Sequence, residues 1–223
     1  MYNRLKGNKE FREKYFDVLK YRLSYSSLEI EGIDEDLAEV NQSMKIYSMI
    51  SGLDYILDTS NESDLSHYDF TNMLCTIENR ITNGEINNFR TTNVIINGSK
   101  VKRSEPSMIR NDLWYLIDDY NYRSRNCTTD KERFELEAWF HIRLLHIHPF
   151  EDGNGRTARL MLTYNLMRFD LAPIIITGKT KEVYCEMIEN SNVSGLAEMF
   201  ESLSNREKVT MDALYNEFSN TKR

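Results

Sequence analysis

Proline and glycine are scarce in this chain, which has three prolines and nine glycines among 223 residues. Both residues interrupt helices, so their scarcity favours long helices and argues against a chain broken by many turns. No repeat, low-complexity segment or linker is visible. With 40% apolar and 11% aromatic residues, the chain can bury one sizeable core, and we expect one domain, or one domain with a helical appendage.

Cysteine is equally scarce. Cys75, Cys127 and Cys185 are scattered along the chain, which excludes a disulfide framework and indicates a reducing compartment. The N-terminus lacks the apolar stretch of a signal peptide, and no apolar run approaches the length of a membrane span. We therefore expect a cytoplasmic protein that does not engage a membrane, although a toxin exported by a dedicated machine would look similar.

Positive charge is also in deficit. The chain has 28 lysines and arginines against 35 aspartates and glutamates, a net charge of −7, and it contains no basic block. Such a balance argues against nucleic acid as a partner. The basic residues of interest are confined to one short motif.

The most informative segment runs from His148 to Arg159 and reads HPFEDGNGRTAR. Apolar residues follow it at helical spacing, so its glycines lie where a loop becomes a helix N-terminus. The free N–H groups and the helix dipole make such an N-terminus an anion site. Gly153 and Gly155 allow the backbone to approach an anion closely.

The charged residues of the motif add chemistry to this anion site. Arg156 and Arg159 are three residues apart, so they share a helix face and can hold successive phosphates as bidentate donors. Asn154 adds a side-chain donor, and Asp152 is placed to hold a hard cation such as Mg²⁺. His148 can act as a general base. Each residue alone has an ordinary structural explanation, but in this order they indicate a site that binds and attacks a polyphosphate.

The motif resembles the signature of the Fic family, His-x-Phe-x-Asp/Glu-Gly-Asn-Gly-Arg-x-x-Arg, and every fixed position is filled. The resemblance implies a mainly α-helical bundle that transfers AMP from ATP to a protein hydroxyl group with the help of Mg²⁺. It also implies the role of each residue: His148 as the base, Phe150 as a buried anchor, Asp152 as the Mg²⁺ ligand, Gly153, Asn154 and Gly155 at the α-phosphate, Arg156 at the β-phosphate and Arg159 at the γ-phosphate.

A second motif, Ser27-Leu28-Glu29-Ile30-Glu31-Gly32, resembles the inhibitory motif of Fic proteins, Ser/Thr-x-x-x-Glu-Gly/Asn. Helical spacing of apolar residues before it predicts a helix over about 9–31, in which Ser27 and Glu31 face the same way. By the resemblance, Glu31 pairs with Arg159 and obstructs the γ-phosphate, as in the subclass with its inhibitory helix in front of the core. The alternative is that Glu31 is simply an acidic residue at a helix end.

Three functions are compatible with these motifs. The favoured one is a protein adenylyltransferase that modifies a Ser, Thr or Tyr hydroxyl of a target, and itself, and is autoinhibited by Glu31. The second is a de-AMPylating or bifunctional enzyme in which Glu31 positions a water molecule. The third is a nucleotide-binding regulatory module without turnover, against which the intact His148 argues. The sequence leaves open the target, another nucleotide donor and a homo-oligomeric state.

Helical spacing predicts further helices over about 35–58, 66–82, 106–121, 129–146 and 180–191, and one from about 195 onward. The helix over 129–146 is apolar almost all round and should be central. His141 on it is interpreted as structural, and a zinc pair of His146 with His148 is rejected for want of a third ligand. Tyr184 is predicted to contact adenine, or else to be a core tyrosine. We divide the chain into an N-terminal helical region (1–60), the Fic core (65–200) and a C-terminal helix (201–223).

One β element is predicted in this helical chain. The segment from Val94 to Val101 contains Asn97-Gly98 between two short extended runs, which is a strong hairpin signal. It could be a plain structural hairpin. The resemblance instead implies a flap over the active site, where Val94, Ile95, Ile96 and Val101 dock the target's backbone by strand addition. The preceding Asn88-Phe89-Arg90 resembles an aromatic-Arg step of the family.

Overall fold

A computed structural model describes residues 5, 7–32, 40–59, 64–84, 88–96 and 98–221, and within these residues the chain is helical with no strand. The α-helices, in chain order, are α1 (Lys9–Ile30), α2 (Val40–Thr59), α3 (His67–Ile81), α4 (Ile109–Asn126), α5 (Asp130–Ile147), α6 (Asn154–Arg168), α7 (Lys181–Glu189) and α8 (Val193–Thr221). Short 3₁₀ turns, Pro106–Met108 and Gly178–Thr180, precede α4 and α7. The predicted mainly α fold is therefore confirmed.

Polar side chains at the helix starts explain why several predicted boundaries agree with the structure to within a residue. Asn8 caps α1 by accepting from the N–H of Phe11, and Ser66 caps α3. Thr129 and Glu132 form a reciprocal capping box at α5, which satisfies N–H groups that would otherwise lack partners. The helix opened by Pro106 was predicted to end near 121 but continues to Asn126. The predicted start of the second helix near 35 lies outside the described residues.

The motif helix α6 is at the centre of the molecule. Every residue from 156 to 167 is buried, and α6 packs against α5, α3, α2 and α1. Helix α5 is the second central element, as predicted, with half of its residues buried. Because the first residues of α6 carry the motif, the site stands on the most enclosed element of the fold. Among the described helices, none is both long enough and apolar enough to cross a bilayer.

Helix α1 is fastened to α8 at a distance from the motif. Glu207 accepts hydrogen bonds from the Tyr15 hydroxyl (3.1 Å) and from both terminal nitrogens of Arg22 (2.9 Å each). Phe11 packs against Phe218 with ring centroids 5.6 Å apart. Residues 201–221 therefore hold the predicted inhibitory helix in place. The predicted boundary at 200/201 lies inside the continuous helix α8, because one helix packs along both α1 and the core.

Removing the Glu207 carboxylate is expected to destabilise the fold. Glu207→Ala leaves the buried Tyr15 hydroxyl and Arg22 without their acceptor, so we expect the free energy of unfolding to fall by about 1.5–3 kcal/mol, the range for hydrogen bonds to a charged group. Chemical denaturation measures the change. The control is Glu198→Ala, an exposed position on the same helix, which should stay within about 0.5 kcal/mol of wild type. Equal effects of Glu207→Ala and Glu198→Ala on the free energy of unfolding would contradict the role of Glu207 in joining α1 to α8.

The predicted β-hairpin is corrected by the structure. The chain does turn back at Gly98, whose φ is +82°, and the Ser99 N–H donates to the Ile96 carbonyl (3.0 Å). The described residues of this segment form no strand. Just outside it, the Arg90 guanidinium donates to the Thr92 carbonyl (2.8 Å) and to the Ser104 carbonyl, and so links the two ends of the segment.

Candidate active site

His148 follows the last turn of α5 in a left-handed conformation, with φ +53° and ψ +63°. This region is uncommon for residues other than glycine, and its occurrence at a non-glycine residue often marks a functional position. Arg90 holds the residue there, since its Nε donates to the His148 carbonyl (2.7 Å) and its N–H donates to the Pro149 carbonyl (2.9 Å). The segment before the flap therefore fixes the position of the predicted base.

The loop between α5 and α6 is closed by Asn154. The Asn154 amide accepts from the Phe150 N–H and donates to the Phe150 carbonyl, both at 2.9 Å. Phe150 is fully buried beneath the loop and packs against Phe89, as expected of an anchor. In the described structure the Asn154 side chain shapes the loop, and its contact with a nucleotide stays a prediction.

Asp152 and Arg156 form an ion pair at the start of α6. The Arg156 Nη2 and Asp152 Oδ2 are 2.8 Å apart, while Oδ1 accepts from the Gly153 N–H (2.6 Å). Gly153 has φ +77°, a conformation that glycine adopts without strain. The Asp152 side chain is 68% exposed and that of Arg156 only 8%. The site therefore presents a hard oxygen ligand to solvent beside a buried guanidinium and the free N–H groups of a helix N-terminus.

Asp152 is the residue of the motif that would bind Mg²⁺. The described residues contain no group of three His, Cys, Asp or Glu side chains that could hold a metal ion. Mg²⁺ does not need such a cage, since it is commonly bound by one or two carboxylates together with water and substrate phosphates. The exposed Asp152 carboxylate beside an anion-binding loop fits that pattern.

Arg159 is bound by both residues of the predicted inhibitory motif. Its Nε donates to Ser27 Oγ (2.7 Å), and its Nη2 donates to the Ser27 carbonyl (3.0 Å) and to Glu31 Oε1 (2.7 Å). The Glu31 contact depends on Gly155, because a Cβ atom at that position would stand 2.7 Å from Glu31 Oε1. Gly155, which lies in the predicted anion site, thus also makes room for the Glu31 carboxylate.

The surroundings of His148 keep its imidazole neutral. Burial lowers the pKa of His148 to about 4, and the positive charges of Arg103 and Arg90 act in the same direction. The Arg103 side chain is 6% exposed and is bonded to Glu189 (3.0 Å) and Ser99 (2.9 Å). A neutral imidazole at physiological pH can accept a proton, which is what a general base requires.

The pKa of His148 can be measured directly. We expect its ring signals in an NMR titration to have a midpoint near pH 4, and Arg103→Gln should move the midpoint towards the ordinary value of about 6.5 because it removes a neighbouring charge. In the wild-type protein His148 binds a proton more readily in the unfolded state than in the folded state, so protonation favours unfolding. Its contribution to the free energy of unfolding is therefore present above pH 6.5 and is lost as the pH falls towards 4. A wild-type midpoint near pH 6.5 would contradict the lowered pKa of His148.

Glu78 is a member of the site that sequence reasoning missed. Its side chain is fully buried, and its Oε1 lies 3.7 Å from where a Cβ atom of residue 153 would be. Burial raises the pKa of Glu78 to about 7, against the opposing influence of Thr82 and Arg156. Its position in the fourth turn of a predicted amphipathic helix gave no signal, since Glu78 belongs to the site only through the packing of α3 on α6.

Helix α7 connects three parts of the site. In the 3₁₀ turn just before it, the Gly178 N–H donates to Glu29 (2.7 Å), and at its end Glu189 accepts from Ser99 (2.7 Å) and from Arg103 of the flap segment. Tyr184, in the middle, is 2% exposed and bonds to protein side chains. The structure thus gives Tyr184 the core position that was the alternative to its predicted adenine contact.

The flap segment presents apolar side chains to solvent. Ile95 is 92% exposed, and Val94, Ile96 and Val101 are half-buried. The segment is held at its base by the contacts of Arg90 and Arg103. Its role in docking a target stays a prediction.

Comparison with known proteins gives consistent matches. Residues 68–166 match the model of the Fic/DOC family. The chain is 33% identical over 112 residues to protein adenylyltransferase fic-1 of Caenorhabditis briggsae, which is 50% of this chain and 21% of the relative. It is 37% identical over 79 residues to protein adenylyltransferase Fic of Nematostella vectensis, which is 35% of this chain and 18% of the relative. The matched segments thus span about a fifth of these relatives.

The fold has a solved counterpart over nearly its whole length. A Fic-domain-containing signalling protein from Bacteroides thetaiotaomicron superimposes with a TM-score of 0.76 and 20% identity, and the match covers 96% of both chains. The likeness includes the regions on either side of the family match, and therefore α1 and α8. At this identity it establishes the fold alone.

Proposed function

Because the chain belongs to the Fic family, we propose that it is a protein adenylyltransferase, which transfers AMP from ATP to a hydroxyl group of a protein target. The curated relatives named above are protein adenylyltransferases. The observation that carries the proposal is the neutral His148 held beside a helix N-terminus with two buried arginines. A base, an anion loop and phosphate ligands are then present in one place.

ATP would bind with its phosphates along the start of α6. The N–H groups of residues 153–155 would bind the α-phosphate, Arg156 the β-phosphate and Arg159 the γ-phosphate. Asp152 would hold Mg²⁺, which, when bound, neutralises charge on the phosphate oxygens. The ion pair of Asp152 with Arg156 keeps both groups at the loop before the nucleotide arrives.

The transfer itself requires one proton acceptor and one leaving group. His148 would take the proton of the target hydroxyl as its oxygen forms a bond to the α-phosphorus of ATP. The bond between the α-phosphorus and the bridging oxygen breaks, and pyrophosphate leaves. Arg156 and Arg159 stabilise the charge that develops on this leaving group. The proton stays on His148 until it is released to solvent.

The resting enzyme would be autoinhibited by Glu31. Glu31 occupies the guanidinium of Arg159 at 2.7 Å, and its own charge opposes a polyphosphate at the same place. A γ-phosphate can bind Arg159 only after this carboxylate has moved. The contacts of Glu29 with Gly178 and of Glu207 with Arg22 support the proposal, because they keep α1 in the inhibiting position.

The protein target would approach over the flap. An extended peptide that pairs with the backbone near Ile95 would bring its hydroxyl towards His148, and backbone pairing would demand little of the target's sequence. The exposed Ile95 side chain supports docking at this segment.

The position of the label tests the reaction type. Full-length protein with Glu31→Gly is incubated with Mg²⁺, a cell lysate and ATP labelled at either the α- or the γ-phosphorus. Relative to lysate without the protein, we expect additional protein-bound label from the α-labelled nucleotide and no additional label from the γ-labelled one. Label from the γ-position would indicate a kinase, and no label from either would overturn the proposed transfer.

A hydrolytic activity is the second candidate, and the position of Glu31 favours it. The Glu31 carboxylate is 30% exposed beside the proposed phosphate site, where it could accept a proton from an attacking water. Wild-type protein would then release AMP from an AMPylated target, and Glu31→Gln would not. Chromatographic detection of free AMP separates this activity from transfer.

A further inference from the structure

A surface groove follows the seam between α4 and α5. It consists of three adjoining depressions of about 610, 440 and 390 Å³, and neighbouring depressions share the lining residues Tyr122, Trp139 and Arg143. On the side of α4 and the turn before it, the lining residues are three or four positions apart: Met108, Asp112, Tyr115, Asp119, Tyr122 and Asn126. This spacing places them on one face of the 18-residue helix, so the groove is about 27 Å long.

The groove presents aromatic side chains to solvent. Tyr115 is 70% exposed and Tyr122 is 69% exposed, although both could have been buried by a neighbouring element. Trp139 lies half-buried on the α5 side, between the two larger depressions. Single exposed apolar residues are ordinary on a protein surface, whereas a contiguous group of them marks an interaction site. The row of rings therefore indicates that the groove binds a partner.

The charges of the groove favour a cationic partner. Among the described residues that line its two helical sides are the carboxylates of Asp112, Asp118, Asp119, Glu132 and Glu135 and the guanidinium groups of Arg123 and Arg143. Arg123 shows which chemistry this surface accepts, because its guanidinium lies 4.2 Å from the centroid of the Trp139 ring and its Nε donates to Asp119 (2.9 Å). The exposed rings of Tyr115 and Tyr122 stand among carboxylates in the same way and can receive the cations of a partner.

The helical sides of the groove also decide the backbone conformation of the partner. In α4 and α5 the main-chain N–H and carbonyl groups are bonded within each helix, so these helices offer no edge with which an extended chain could pair. A helix satisfies its own backbone and binds through its side chains, which can pack into the groove between two other helices.

At one end the groove reaches the active site. The depression of about 390 Å³ is lined by residues 102–105, which directly follow the flap, and by Ile147, which precedes His148. The charges at this end are already balanced, since Lys102 pairs with Glu105 (2.8 Å) and Arg103 with Glu189 (3.0 Å). A protein whose hydroxyl group lies at His148 would thus pass the mouth of the groove.

We propose that the groove between α4 and α5 docks a basic amphipathic helix of the protein target. The proposal rests on the proposed function and adds a second contact to it. Pairing at the flap reads little of the target's sequence, whereas the groove selects targets that carry lysine or arginine on a helix at a distance from the modified hydroxyl.

Binding of a model helix can be measured without AMP transfer. The chain has two tryptophans, and Trp114 stacks on His67 outside the groove lining, so Trp114→Phe leaves Trp139 as a fluorophore within the groove. The probe is a synthetic helix of about 18 residues, with leucine on one face and lysine and arginine on the other. Its twin carries glutamate at the basic positions. We expect a saturable change in fluorescence with the basic peptide and at least about tenfold weaker binding of the twin. Equal binding of both peptides, or of neither, would overturn the proposal.

Matched substitutions distinguish the groove from the general negative charge of the protein. Tyr122→Ala should weaken binding of the basic peptide by about tenfold, as expected of an aromatic anchor, and Glu135→Gln by about threefold. The controls are Tyr68→Ala, which removes a 74% exposed ring from α3, and Glu198→Gln, which neutralises an exposed carboxylate on α8. Both controls should leave the affinity unchanged. Equal effects inside and outside the groove would mean unspecific attraction to a chain of net charge −7 and would overturn the proposal.

Labelling identifies the partner as the target. In full-length protein with Glu31→Gly, Tyr122→Ala should lower the label that lysate proteins gain from α-labelled ATP by about tenfold. Affinity for ATP, measured by calorimetry, should stay the same, because the groove is not part of the site at the start of α6. Tyr68→Ala should change neither quantity. Labelling that survives Tyr122→Ala would overturn the assignment to the target. Absence of transfer in the parent protein would instead refute the proposed function, while the peptide measurements still decide whether the groove binds a basic helix.

Discussion

Replacing His148 is expected to lower AMP transfer by about 100- to 10,000-fold, the usual contribution of a positioned general base. The neutral imidazole is the residue proposed to take the proton of the target hydroxyl, and no hydroxyl attacks phosphorus readily while it keeps its proton. The rate is measured as label incorporated from α-labelled ATP, in protein that also carries Glu31→Gly so that the starting activity is measurable.

Two substitutions separate chemistry from folding at this position. Alanine is strained at the φ of +53° that His148 adopts, whereas asparagine tolerates the left-handed region. His148→Asn should therefore fold and bind ATP like the parent protein and still be inactive. A His148→Asn protein that keeps more than a tenth of the rate would exclude His148 as the base.

The opposite effect is expected from Glu31→Gly, which should raise AMP transfer by about 10- to 100-fold. The substitution removes the carboxylate that is bonded to Arg159 and frees this guanidinium for the γ-phosphate. The range corresponds to a coupling free energy of about 1.4–2.7 kcal/mol between the inhibitory contact and nucleotide binding. The gain should appear mainly as tighter binding of ATP, with ADP affected less, because ADP has no γ-phosphate.

Glu13→Gly is the control for this substitution. Glu13 lies on the same helix, its side chain is 62% exposed, and it pairs with Lys9. The change deletes the same side chain and introduces the same residue, at a cost of about 1 kcal/mol in helix stability, but it leaves Arg159 untouched. If Glu13→Gly activates the enzyme as strongly as Glu31→Gly, activation comes from loosening α1 and not from the Glu31 carboxylate.

The parts of the site that were predictable are those encoded over short distances. His148 and Arg159 lie eleven positions apart, within one loop and the helix that follows it. Their arrangement in space is therefore determined by local structure, which the sequence pattern predicts. Ser27 and Glu31 are one helical turn apart, which predicted that both would face the same way, and the resemblance predicted that Glu31 would pair with Arg159. The structure shows both residues on Arg159.

The contacts that were missed depend on how helices pack. Tyr184 and His141 are 43 positions apart, and each reads as an ordinary core residue of its own helix. Glu78 faces the anion loop only because α3 lies against α6. Periodicity identifies which face of a helix is buried but not which residue of another helix that face meets.

The flap shows a different reason for failure. The turn at Gly98 was predicted from two residues and is present, but the described residues on either side of it form no strand. Arg90 bonds to the carbonyls of Thr92 and Ser104, one on each side of the predicted hairpin. The charge and length of Arg90 were visible in the sequence, whereas the carbonyls that it reaches are set by the tertiary structure.

The bond between Arg22 and Glu207 also has a consequence for the newly made protein. Glu207 follows Arg22 by 185 positions, and it leaves the ribosome only after the whole segment from His148 to Arg159 has been made. At about 5–20 residues per second, the nearly 50 residues between Arg159 and Glu207 take about 2–10 s to synthesise. During that interval the nascent chain can contain the segment proposed to bind phosphate while α1 still lacks its anchor on α8. The proposed restraint by α1 would thus be completed late in synthesis, after the site that it restrains.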